Sequence, residues 1–197
     1  MSPASSSDGP RGRIILLNGP SSSGKSSIGR AMLPLLRDPW FLVPVDGISG
    51  MRSTQHRRAL GEPEVRAMLR RTRLGYHRVV AALAATGNDV IMDYPLSEPW
   101  RLADLLDVLA GFDVTLVDVR CSAEELTRRE LLRGDRPRGL AVSQTEVYAH
   151  GDNDLAVDTT RRTAEDCARE IVDRFETLAA PKAFTRLRNG RAQRGTD

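Results

Sequence analysis

Residues 14–26 read Ile-Ile-Leu-Leu-Asn-Gly-Pro-Ser-Ser-Ser-Gly-Lys-Ser, an apolar run that leads directly into Gly19-x-x-x-x-Gly24-Lys25-Ser26. A buried strand, a glycine-rich turn and a helix start in that order make the phosphate-binding loop of P-loop NTPases. Gly19 and Gly24 admit backbone angles closed to other residues. The loop Gly19, Pro20, Ser21, Ser22, Ser23 and Gly24, with Lys25, Ser26 and Ser27 behind it, can therefore wrap a phosphate with N–H groups pointing inward. The helix beginning near Lys25 adds the positive end of its dipole. Lys25 would place a compact charge on the β- and γ-phosphates, and the Ser26 hydroxyl would ligate magnesium. The chain has only two lysines, Lys25 and Lys182, so one of them stands where this chemistry asks for one. The cofactors expected from the loop are ATP and Mg2+.

The 197 residues suit one domain with a sizeable core. The expected layout is a disordered tail over 1–12, a single domain over 13–180 and a basic, loose tail over 181–197. No apolar run approaches a membrane span, and the N-terminus lacks the apolar core of a secretory signal. Cys121 and Cys167 lack metal-type spacing and read as free thiols of a cytoplasmic protein. The formal net charge of +3 is too small to argue for nucleic acid, and aromatic residues that could stack bases are 5% of the chain. Whether the chain forms a homo-oligomer is left open by the sequence.

Strand and helix patterns alternate. Strands are expected at 14–17, 41–45, 89–92, 114–119 and 155–157. Helices are expected at 26–36, 64–85, 102–109, 122–133 and 163–178, with Ser122-Ala-Glu-Glu125 as a capping box. Such alternation predicts an α/β fold of three layers, a five-stranded parallel sheet covered by helices on both faces. Ligands bind beyond the carboxyl ends of the strands in such sheets. Asp46, Asp93, Arg120 and Asp158 end strands and become candidates by that rule.

Asp46 follows Phe-Leu-Val-Pro-Val. It reads equally as a base for a hydroxyl aimed at the γ-phosphate and as a turn aspartate. Asp93, followed by Tyr94-Pro95, reads as a magnesium carboxylate, with a turn as the alternative. Arg133 and Arg136 bracket a Gly-Asp turn and are candidates to neutralise the transferred phosphoryl group, Arg133 also to hold the nucleotide. Arg128, Arg129 and Arg138 read as a solvated helix terminus. His56, His77 and His150 read as structural.

Taken together, Asn18-Gly-Pro-Ser-Ser-Ser-Gly-Lys-Ser, Val45-Asp46, the strand ending in Asp93, Val119-Arg120-Cys121, Arg133-Gly-Asp-Arg136 and Val157-Asp158-Thr159-Thr160 resemble the chloramphenicol phosphotransferase family of small P-loop kinases, from about residue 13 to 178. The resemblance implies a fold like that of adenylate and shikimate kinases with a short lid. It also implies ATP-dependent phosphorylation of an antibiotic hydroxyl, which confers resistance. On it, Asp46 is the general base, Arg133 and Arg136 are the lid, and Asp93 is the carboxylate of the third strand.

The chain departs from the family after Asp46. Gly47 stands where a hydroxyl residue is usual. Residues 47–80 carry eight arginines against Glu62 and Glu64, a net charge of +6 in a chain of +3. Arg66, Arg70 and Arg73 share a helix side and read as a solvated face. Arg52 and Arg57, with Asp46, Asp93 and Tyr94, are the candidate acceptor contacts. The acceptor expected is a small molecule with a hydroxyl, first an antibiotic such as chloramphenicol or a nucleoside antibiotic. A sugar, a shikimate-like acid or a nucleotide is the second reading. A regulatory or nucleic-acid-binding NTPase is the third.

Overall fold

β1 (Ile14–Asn18) is buried at all five positions, as a strand with neighbours on both edges and helices on both faces must be. The computed structural model describes residues 10–53, 55, 59–133, 139 and 143–194. β1 pairs in parallel with β3 (Asp89–Asp93) on one side and β4 (Val114–Arg120) on the other. β2 (Trp40–Pro44) adds to β3, and β5 (Leu155–Asp158) adds to β4. The sheet therefore has the order β2-β3-β1-β4-β5, the five parallel strands expected from the sequence.

Alternate side chains of β1 feed two separate cores. Ile14 and Leu16 join Val90, Met92 and Leu116 under Tyr76, Val80, Leu105 and Phe184. Ile15 and Leu17 join Ile91, Val117 and Val119 under Ile28, Met32, Ile171 and Phe175. The first face is covered by α3 (Glu62–Ala85), α4 (Pro99–Val108) and α7 (Ala183–Arg194); the second by α1 (Lys25–Met32) and α6 (Ala164–Phe175).

Caps fall where the side chains favour them. Ser122 Oγ accepts from the Glu125 N–H at the start of α5 (Ala123–Arg133), and Thr163 Oγ1 accepts from the Asp166 N–H at the start of α6.

Several expectations change. α1 ends at Met32, four residues early, in a turn that precedes β2. β2 ends at Pro44, and the chain winds straight into α2 (Val45–Gly50), so Asp46 lies in a first helical turn at the sheet's mouth. Residues 183–194, expected as a loose basic tail, are a helix. Ala183 and Phe184 are buried in the first core, and the Ala183 N–H donates to Asp154 at 2.6 Å. Of the expected N-terminal tail, residues 1–9 lie outside the described residues. Gly12 is locked in place: its N–H bonds Ala84 O at 2.8 Å, and a Cβ there would fall 1.9 Å from Asn88 O.

Candidate active site

The loop after β1 is held from below and from the side. Gly19 passes so close to β4 that a Cβ would lie 2.4 Å from Val119 O. Gly24 has φ +96° and sets the left-handed turn that opens α1. Asn18, fully buried at the loop's root, donates to Asp118 Oδ1 at 2.9 Å and to Val147 O at 2.7 Å, and accepts from the Leu96 N–H. His150 completes this knot, with Nε2 3.0 Å from Asn18 Nδ2 and 3.4 Å from Asp118. Burial pulls the His150 pKa down, but hydrogen bonding and charge from Asp118 outweigh it and leave it raised. His150 is thus structural. So is His77, fully buried with Nδ1 2.5 Å from Asp104. His56 lies outside the described residues.

Lys25 is folded into the loop, its Nζ donating to Gly19 O at 2.8 Å and Pro20 O at 2.7 Å. The Ser26 hydroxyl donates to the Asp93 carboxylate. Ser26 and Asp93 therefore set two hard oxygen donors side by side. That suits Mg2+, which takes one or two protein oxygens and completes its shell with phosphate and water. Among the described residues there is no cluster of three or more His, Cys, Asp or Glu side chains that could hold a metal by itself.

These groups line a cavity of about 530 Å³. Ser21, Ser22, Gly24, Lys25, Ser26 and Ser27 form its floor, and Asp46, Val45, Asp93 and Pro95 form one wall. Asp46 and Asp93, on different strand ends, are thus brought to one space with Lys25 and Ser26. Arg129, Gln144, Thr159 and Arg162–Ala164 form the opposite wall.

That opposite wall is where the sequence reading fell short. Arg129, read as a solvated helix end, reaches across to the loop. Its guanidinium donates to Thr159 O at 2.6 Å and Thr159 Oγ1 at 3.1 Å, and is anchored to Glu125 at 2.8 Å. Thr159 is 3% exposed, and its hydroxyl donates to Ser23 O at 2.8 Å. Gln144 Oε1 accepts from the Ser21 N–H at 2.6 Å. The spacing of Arg129 one helical turn after Glu125 and one before Arg133 was the available signal.

Other candidates are placed elsewhere. Tyr94 does not line the cavity: it is fully buried, packed on Tyr76 at 5.2 Å and His77 at 5.0 Å between ring centroids. Burial pushes its phenol pKa up. Arg52 donates to the Thr72 hydroxyl and ties the end of α2 to α3. Asp158 accepts from Thr160 in a turn, and those hydrogen bonds lower its pKa. Arg57 and Arg136 lie outside the described residues. Arg133 ends α5, and its side chain lies outside them too.

A presumed O-phosphotransferase of Mycobacterium tuberculosis (strain H37Rv) is 32% identical to this chain, over 91% of this chain and 89% of the relative. Two solved structures share the fold. APS kinase CysC of Mycobacterium tuberculosis superposes with a TM-score of 0.60 at 21% identity, covering 85% of this chain and 99% of that one. Shikimate kinase from Acinetobacter baumannii superposes with a TM-score of 0.60 at 17% identity, covering 85% and 95%. The architecture is that of P-loop kinases, and the chain is a phosphotransferase acting on a hydroxyl. The model of the chloramphenicol phosphotransferase-like proteins matches residues 12–176, and the chain belongs to that family.

Proposed function

We propose that this enzyme moves the γ-phosphoryl group of ATP onto a hydroxyl of a small molecule, with Asp46 as the base. The observation that carries this is the convergence of Lys25, Ser26, Asp93 and Asp46 on one cavity. The loop N–H groups and Lys25 hold the β- and γ-phosphates. Ser26 and Asp93 would hold Mg2+, which would supply positive charge to offset that of the phosphates. Asp46 orients the acceptor hydroxyl and takes its proton as the oxygen bonds to phosphorus. The bond from phosphorus to the β,γ-bridging oxygen breaks, and ADP leaves. Arg129 steadies the loop from the far wall. Arg133 and Arg136 would neutralise charge on the transferred group.

The family description, which names chloramphenicol, supports an antibiotic as acceptor, and resistance would be the outcome. The arginine-rich stretch after Asp46 favours a second class, a polar or acidic metabolite. An ATP-consumption screen of chloramphenicol, nucleoside antibiotics, sugars and hydroxy acids, followed by mass spectrometry for an added phosphate, decides between them. Asp46→Asn is expected to bind ATP normally and to lose phosphoryl transfer by roughly 100- to 10,000-fold. Turnover near wild type in that variant overturns the assignment.

A further inference from the structure

α3 runs antiparallel to the strands, so its N-terminal turns stand beyond their carboxyl ends. Tyr76, fully buried, marks the level of the sheet edge, where its hydroxyl donates to Val43 O at 2.7 Å. Arg73 lies one turn earlier on the same face, roughly 4.5 Å further toward the mouth. It is half-buried. Its electrostatic neighbours are Arg101, Glu98, Tyr94 and Asp46.

Two arginines crowd together there. Arg101 is 4% exposed, and its guanidinium donates to Pro95 O at 2.8 Å and to Glu98 Oε2 at 3.1 Å. Pro95 lines the cavity, so Arg101 stands directly behind the wall beside Asp46. The same Glu98 oxygen also takes the Trp100 indole N–H at 2.6 Å. Asp104, the next carboxylate along, is engaged by Arg78 at 2.7 Å and by His77. The carboxylates near the two guanidinium groups are thus Glu98, already bonded twice, and Asp46 at the cavity. Among the described residues Arg73 makes no hydrogen bond and no ion pair. Burial, then repulsion from Arg101, pulls its pKa below the ordinary arginine range. The Tyr94 hydroxyl, fully buried beside these arginines, also lacks a hydrogen-bond partner among the described residues. Desolvated cations and hydroxyls are costly unless something pairs with them.

We propose that Arg73, backed by Arg101, is an anion subsite on the acceptor wall, and that the acceptor is a small hydroxylated acid whose carboxylate or phosphate docks there while its hydroxyl meets Asp46. This rests on the phosphotransfer reading above. A planar guanidinium is the donor that carboxylates and phosphates select.

The test reads binding without turnover. Trp40→Phe leaves Trp100, beside Arg101 and Arg70, as the single tryptophan reporter. With Mg·ADP saturating the phosphate loop and chloride holding ionic strength constant, glycerate, glycerol 3-phosphate and uncharged glycerol are titrated. The acids are expected to change Trp100 fluorescence saturably and glycerol not to, and the stronger acid tells carboxylate from phosphate. Arg73→Gln is expected to weaken acid binding by roughly tenfold or more with Mg·ADP affinity unchanged, and Arg73→Lys to keep most of it. If Arg73→Gln loses its circular dichroism signal, Arg73→Met keeps the apolar stem and is read the same way. Equal responses to the acids and glycerol, or acid binding that survives Arg73→Gln, overturn the subsite. Turnover of neutral acceptors alone would overturn it too while leaving phosphotransfer standing. Absence of turnover with Arg73-dependent acid binding would do the reverse.

Discussion

Thr159 shows how much of the phosphate-loop wall hangs on one hydroxyl. It donates to Ser23 O in the phosphate loop, lies 3.2 Å from Arg120 O at the end of β4, and accepts from Arg129. Thr159→Val keeps the shape and removes all three contacts, leaving buried polar partners unpaired. The expected cost is about 1–3 kcal/mol of stability, read by urea unfolding. The KM for ATP should rise roughly tenfold, since a misplaced loop loses phosphate contacts, while the KM for the acceptor is expected to hold. The loop itself was legible because Gly19, Gly24, Lys25 and Ser26 carry their chemistry at fixed spacing along one stretch. Arg129 and Gln144 were not, because each acts through a contact more than a hundred residues away in sequence. A helical arginine beside a glutamate looks the same from its neighbours whether it faces water or a phosphate loop.

Among the elements, α7 contributes most beyond what its sequence announces. Its apolar residues, Ala183, Phe184 and Leu187, sit in the first turns and pack into the core over the sheet. The later turns are arginine, asparagine, glycine and glutamine, so no apolar stripe runs the length of the helix. The expected period was therefore missing, although the packing is real. Lys182 and Arg186 pin the entry, pairing with Asp113 and Asp152 at 2.6 Å each. Phe184→Ala should cost about 3–5 kcal/mol, the range for emptying a buried aromatic position, as a lowered denaturant midpoint with an unchanged slope. The strands and α3 were readable for the opposite reason. β1 is apolar throughout its four residues before Asn18, and α3 repeats its buried positions at helical spacing through Tyr76, Val80 and Ala84.

At the scale of the molecule, the cavity joins segments far apart in sequence, from the phosphate loop to Arg129, Gln144, Thr159 and Arg162–Ala164, and nucleotide bound as proposed would touch them together. A ligand gripping all of them stabilises the native state as a whole. At nucleotide a hundredfold above its Kd the gain is about 2.7 kcal/mol, or roughly 5–10 °C in Tm for a domain of this size. Differential scanning fluorimetry with Mg·ATP should show that rise, and Lys25→Ala should abolish it. The proposed acceptor side has a different geography: Asp46 in α2 and Arg73 in α3 both lie between Trp40 and Ala85, with Arg101 of α4 behind them. β2 is an edge strand with a single neighbour, β3. The piece between Trp40 and Ala85 can therefore be exchanged for the equivalent piece of a relative as one cassette, provided the Phe41–Val90 register and the Tyr76 contact to Val43 are kept. A lineage built on this scaffold can change what it phosphorylates without renegotiating how it holds its fuel.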